Sequence, residues 1–272
     1  MSTRAYEFFL YSYFGAGKDV LEKAINRAYR DMASHTLTGF SNDDNKKKCK
    51  KCAVVLLRMY IKGEEDKNNI LADVKMKNVE FKKLIDCKSK DDFDIWHFEL
   101  SKNMRLLYSS GDASGELTYG QAQKWINMSL KYLYLFYVLE KEGVLNNVFS
   151  KEEYSAEIRE RLDYQLDDEL KKIIGKTYKY YHVPIDNYIL KRIYNLEDIN
   201  SSKIKKDGTT YKLVYNKDDI KSEAYAWSRL PLVENGEEDS YRILQKELRE
   251  ITGEYACALE WEFSNWIIGA IQ

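Results

Sequence analysis

The sequence predicts a mainly α-helical, multi-helical globular protein, on three observations. Only two prolines and 13 glycines occur in 272 residues, too few for the turns of a loop-rich β-sandwich. Apolar residues recur at helical spacing, most clearly over 20–29 and 118–136. Aromatic residues are 14% of the chain, a composition that suits a folded core and not a disordered chain.

Taken in order, residues 4–38 read as helix, with the clearest apolar spacing from Val20 to Tyr29. A polar stretch follows at 41–51, ends in the lysine run at 46–51, and leads into a helix at 52–62. Residues 63–92 alternate charges with sparse apolar anchors and read as short solvated helices and loops. A helix is predicted at 93–108, around Trp96, Phe98, Leu100, Met104 and Leu107. The stretch 109–115, rich in Ser and Gly, is the clearest loop.

The most apolar helix is predicted at 118–140, opened by a capping box of Thr118 and Gln121. A charged amphipathic helix is expected over 151–181, broken near Gly175, and another helix from Pro184, because proline fits a first helical turn. Asp207-Gly208 between alternating runs predicts a small β-hairpin near 203–216. Two last helices, at 237–252 and 255–270, close the chain. The elements divide into an N-terminal helical region, 1–110, and a region 111–272 holding the lysine and aspartate helices; one continuous domain is the alternative.

The formal net charge of -1 removes any whole-chain electrostatic case for nucleic acid, so DNA binding needs a local basic face. No apolar run of about 18 residues occurs, so no membrane span is expected. The start, Met1 to Ala5, lacks the apolar region of a signal peptide, and four scattered cysteines make no secreted disulfide framework; a cytoplasmic protein is expected. Cys49 and Cys52 have zinc-knuckle spacing but no second pair follows, so no metal is expected. Gly15 to Lys18 lacks the length and the Ser or Thr of a phosphate loop.

Two segments concentrate the chemistry. In the central helix, Lys124 and Lys131 are seven positions apart and project from one face, with Asn127 between them. A polar stripe on a buried helix is costly unless it is paired or lines a cavity. Either lysine is a candidate amine nucleophile, kept neutral by partial desolvation; the plain alternative is that both reach the surface or pair with carboxylates. The second segment is His182-Val183-Pro184-Ile185-Asp186. Asp186 falls in the first helical turn, where free N–H groups and the helix dipole favour a carboxylate whether or not it has a further role.

The run Lys124 to Lys131, followed by Val183-Pro184-Ile185-Asp186-Asn187-Tyr188, resembles the helix-hairpin-helix DNA glycosylase superfamily, closest to its archaeal 8-oxoguanine branch. It also resembles a bacterial and phage family sharing the lysine helix and the His-x-Pro-x-Asp start. The first likeness implies the glycosylase fold, Lys124 as Schiff-base nucleophile, Asp186 as essential carboxylate and Lys131 as a second lysine on the same face. It further implies a base flipped from DNA into a pocket, with Trp125, Asn127, His182, Tyr188, Trp227 and Gly120 as candidate DNA or base contacts, and chemistry that needs no cofactor. The alternative is a non-catalytic DNA-binding or interaction protein, phage- or defence-related, with a protein partner or a second copy of itself.

Overall fold

The computed structural model describes residues 3–17, 19–32, 36–71, 81–109, 115–145, 155–189, 192, 227 and 240–271. These residues are mainly helical, and their one β contact is an isolated antiparallel bridge between Thr38 and Glu116. The hairpin expected at 203–216 lies outside the described residues.

The single helix expected over 4–38 is two. Helix α1, Thr3–Phe14, ends at Gly15, which takes a left-handed φ of 77° that favours glycine. Asp19 then starts α2, Val20–Asp31, by accepting the N–H of Glu22. Helix α3, Asp43–Lys62, begins well before the expected residue 52. Asn42 caps it by accepting the Asn45 N–H, and Asp43 and Asp44 complement the dipole of its first turn. The lysine run is therefore helical, with Lys47, Lys48 and Lys51 exposed.

After a 3₁₀ turn at Leu84–Asp86, α4 covers Lys90–Ser109 and α5 covers Tyr119–Lys141. The capping box is present: Thr118 accepts the Gln121 N–H, and the Gln121 side chain accepts the Thr118 N–H. The amphipathic stretch at 151–181 breaks between 162 and 167 and not at Gly175. Ser155 caps α6, Ala156–Arg161, and Asp167 caps α7, Asp168–Thr177, so a second cap starts a new helix where one was expected. Gly175 continues inside α7, and a 3₁₀ turn at Tyr178–Tyr180 follows.

Residues 181–186 form no regular element, and the helical turn expected from Pro184 runs at 187–189. Asp186 itself is the cap, accepting the N–H groups of Tyr188 and Ile189 at 3.0 Å each. Two more helices follow, α8 at Ser240–Ile251 and α9 at Ala258–Ile271.

Helix α5 is central and buried over nearly its whole circumference. One side packs on α2, where the Trp125 indole N–H donates to the Ile25 carbonyl at 3.0 Å and its ring lies 4.8 Å from Tyr29. Helices α4 and α7 pack elsewhere on it. Truncating a buried tryptophan like Trp125 costs about 3–5 kcal/mol, which makes the α2–α5 contact a main source of stability. A core cluster runs from Leu10 to Leu259, and a smaller one joins Val183, Ile185 and Ile189 to Tyr241, Leu244, Leu248 and Trp261. That second cluster fixes the strand of chain leading to Asp186. No described helix is long and apolar enough to cross a membrane.

Candidate active site

Lys124 and Asp186, 62 residues apart in sequence, meet at 3.5 Å between Nζ and Oδ2. Lys124 is 8% exposed, and its ammonium lies 4.4 Å from the ring centroid of Trp227. Burial pushes its pKa below the ordinary lysine range, while the neighbouring Asp186 carboxylate acts in the opposite direction. The two oxygens of Asp186 divide their tasks. Oδ1 caps the helical turn; Oδ2 faces Lys124 and also accepts the Trp266 indole N–H at 3.0 Å. Trp266 in turn meets Tyr188 edge to face at 5.1 Å, and both rings are partly open to solvent.

Lys131 is held differently. Its amine lies 2.7 Å from Oε1 of Glu262, a carboxylate that burial pushes to higher pKa against the pull of Lys131. Two residues nearer the start of α9, Glu260 accepts the Tyr134 hydroxyl at 2.8 Å. Residues 124, 131 and 134 thus meet 266 (through Asp186), 262 and 260, so α9 runs antiparallel to α5 and walls the site. Lys131 is engaged by a close buried partner; Lys124 has the looser contact.

Behind the pair lies a buried polar chain. The Gln123 amide donates to the Gly120 carbonyl at 2.8 Å, and Asn127 donates to Gln123 at 3.0 Å and to the Tyr241 oxygen at 2.7 Å. His182 lies 2.8 Å from the Tyr241 hydroxyl through Nδ1 and 2.7 Å from Asp94 through Nε2. Because a carboxylate only accepts, Nε2 donates to Asp94, and neutral Nδ1 accepts from Tyr241. His97 completes the cluster by donating from Nε2 to Asn127 Oδ1 at 3.0 Å. Burial holds both histidines below their ordinary pKa, His182 at about 4. Burial alone would raise Asp94, but hydrogen bonds from His182 and from the Arg249 guanidinium hold it well below the usual carboxylate range.

No family model, curated protein or solved structure matches the chain. Its chemistry is therefore read from this geometry.

The structure brings Lys124, Asp186 and Trp227 together, with Tyr188 one ring further out. It takes Asn127, His182 and Gly120 into the buried chain, and turns Trp125 away toward α2. Glu262, Trp266, Asp94, Tyr241, Gln245 and Arg249 complete the surroundings and were not singled out from sequence. For the α8 residues a signal was there: Tyr241, Gln245 and Arg249 repeat every four residues beside the apolar Leu244 and Leu248. Trp266 reads in sequence as packing of a closing helix, because nothing local links it to Asp186.

Two other features are separate from the pair. Cys49 and Cys52 are buried on α3, and burial raises the Cys49 thiol to about 11, which makes it a poor nucleophile or metal ligand. A groove of about 1130 Å³ lies between α2, α3 and the 63–70 segment. Its charges are mixed, and its Arg58 is already tied to Asp19 and Glu64 at 2.7 Å each. An amine that is desolvated, held by one carboxylate and backed by an indole face suits attack on an electrophilic carbon, with the carboxylate countering positive charge at that carbon.

Proposed function

We propose that the chain is a DNA base-excision protein of the glycosylase type, with Lys124 as nucleophile and Asp186 as its carboxylate partner. The carrying observation is the 3.5 Å contact between Lys124 Nζ and Asp186 Oδ2, made across 62 residues in a buried setting. The resemblance of these two segments to the helix-hairpin-helix glycosylases supplies the reaction class. The neutral amine forms a bond to C1′ of the sugar while the bond from C1′ to the base breaks. The bonding electron pair leaves with the base, which takes a proton from water. Nitrogen then loses a proton, its lone pair closes a C=N bond, and the C1′–O4′ bond opens, with O4′ taking up a proton. Asp186 stabilises the positive charge that builds on the sugar. Lys124, rather than Lys131, is assigned the attack because Lys131 is committed to Glu262.

Borohydride trapping on duplexes carrying 8-oxoguanine or an abasic site tests the reading. A covalent adduct is expected with wild type and not with Lys124→Gln, while Lys131→Gln keeps it. An adduct that survives Lys124→Gln overturns the assignment. No adduct, and no base release, on either duplex overturns the enzymatic reading.

A second reading, a non-catalytic interaction protein, is favoured by α1, whose Phe8 and Phe9 are 72% and 55% exposed. Association of the purified chain that is lost in Phe8→Ser/Phe9→Ser, with no salt-dependent DNA binding, supports that reading over the first.

A further inference from the structure

Asp186 is delivered by residues 181–186, a stretch without regular structure of its own, so something else must set its position. That grip comes from one face of α8. Tyr241, Gln245 and Arg249 lie four residues apart, a single stripe of an α-helix. At the middle level, Gln245 accepts the Val183 N–H at 3.0 Å and donates to the Val183 carbonyl at 2.7 Å, as a neighbouring strand would. At one end, Arg249 forks onto Asp94, at 2.5 and 2.8 Å, and donates to the Tyr180 carbonyl at 3.2 Å. At the other, the Tyr241 hydroxyl donates to His182 at 2.8 Å.

Tyr241 does one thing more. Its oxygen also accepts from Asn127 at 2.7 Å, and Asn127 is three residues from Lys124 on α5. One hydroxyl therefore joins the helix that carries the lysine to the segment that carries the aspartate. Both Tyr241 and Gln245 are fully buried, so neither touches a substrate from solvent. We propose that Tyr241, with Gln245, is the positioning residue of the Lys124–Asp186 pair, setting their separation through Asn127 on one side and His182–Val183 on the other. This rests on the reading of Lys124 and Asp186 as the reactive pair.

The test reads the lysine itself and needs no DNA. Competitive acetylation with acetic anhydride across pH, read peptide by peptide by mass spectrometry, titrates each amine in the intact chain. The charges bearing on the Lys124 amine are Asp186, Asp31 and Lys131, with Glu262 close enough to interact with it. In wild type, Lys124 titrates below the surface lysines. Tyr241→Phe keeps the ring and removes only the hydroxyl. Burial and the Asp186 contact act on Lys124 in opposite senses, and loosening the pair changes both, so its titration shifts by at least about half a pH unit. Lys23, which burial on α2 lowers to about 8, is the internal control. If Tyr241→Phe does not fold, Gln245→Met carries the same expectation. A Lys124 profile that superimposes on wild type in the folded variant overturns the proposal. Borohydride trapping and a base-release assay run alongside separate the two readings: a shifted amine with neither a wild-type adduct nor base release leaves the positioning role standing and the glycosylase chemistry refuted.

Discussion

Lys131 and Glu262 form a 2.7 Å ion pair in which the carboxylate is 1% exposed, joining the middle of α5 to α9. Two charges withdrawn from water gain little net stability together, yet either one left alone is expensive. Lys131→Met is therefore expected to cost about 3–5 kcal/mol, because it strands a buried carboxylate. Pairing it with Glu262→Leu should recover most of that loss. Urea unfolding of the two single variants and the double variant checks this; additive losses would show the pair to be uncoupled.

Helix α9 is also bound by shape. A Cβ built on Gly269 would stand 2.4 Å from the Tyr188 carbonyl oxygen, and backbone cannot rotate away. Gly269→Ala should thus destabilise by about 1–3 kcal/mol, in the range of overpacking, and draw Trp266 off Asp186. Gly175→Ala is the comparison: its Cβ would meet only the end of the Tyr137 side chain at 3.2 Å, inside a helix that gains from alanine. Thermal melts in which the two variants behave alike would contradict this account.

The pH dependence of stability follows from the paired histidines, whose rings lie 4.6 Å apart. In the unfolded chain both titrate near 6.5, whereas burial lowers His182 to about 4 and His97 well below its ordinary value. Between those values the unfolded state binds more protons. Stability is thus full above pH 6.5 and falls as pH drops toward 4, by on the order of 3 kcal/mol for His182. Glu262, raised by burial, acts in the opposite sense just above 4.5 but is a single group. Urea midpoints at pH 7 and 5 report the slope, and His182→Gln should flatten it. An unchanged wild-type midpoint across that range would rule the mechanism out.

Asp186 has a capping oxygen and a lysine-facing oxygen, and two substitutions separate them. Asparagine caps helices about as well as aspartate, so Asp186→Asn should keep the cap and lose only what the charge beside the buried Lys124 contributes. Asp186→Ala loses the cap as well and should cost about 1 kcal/mol more. Equal stability losses from both would mean that the ion pair, not the cap, is what the fold needs.

Much of the local structure was legible from residue patterns. The central helix and its capping box follow from apolar periodicity and short-range hydrogen bonding. The errors arose where two local signals competed. Gly15 and Asp19 end one helix and start another inside a stretch whose apolar spacing reads as continuous. Asp167 does the same further on, and Asn42 with two aspartates turns a lysine-rich stretch into helix. Pro184 suits a first turn, but the Asp186 carboxylate satisfies the free N–H groups better, so the turn starts after it.

What the sequence by itself determined is a helical chain with a buried lysine-bearing helix and an aspartate at a helix start, because periodicity and capping act over three or four residues. What distinguishes Lys124 from Lys131 comes only from tertiary structure. Both lie on one face of one helix and are equivalent locally; Glu262, 131 residues beyond Lys131, engages one of them and leaves the other to Asp186. The polar chain through Tyr241, His182 and Asp94 is of the same kind. Its members come from four separate parts of the chain, and burial makes their mutual hydrogen bonds obligatory only once the helices have packed.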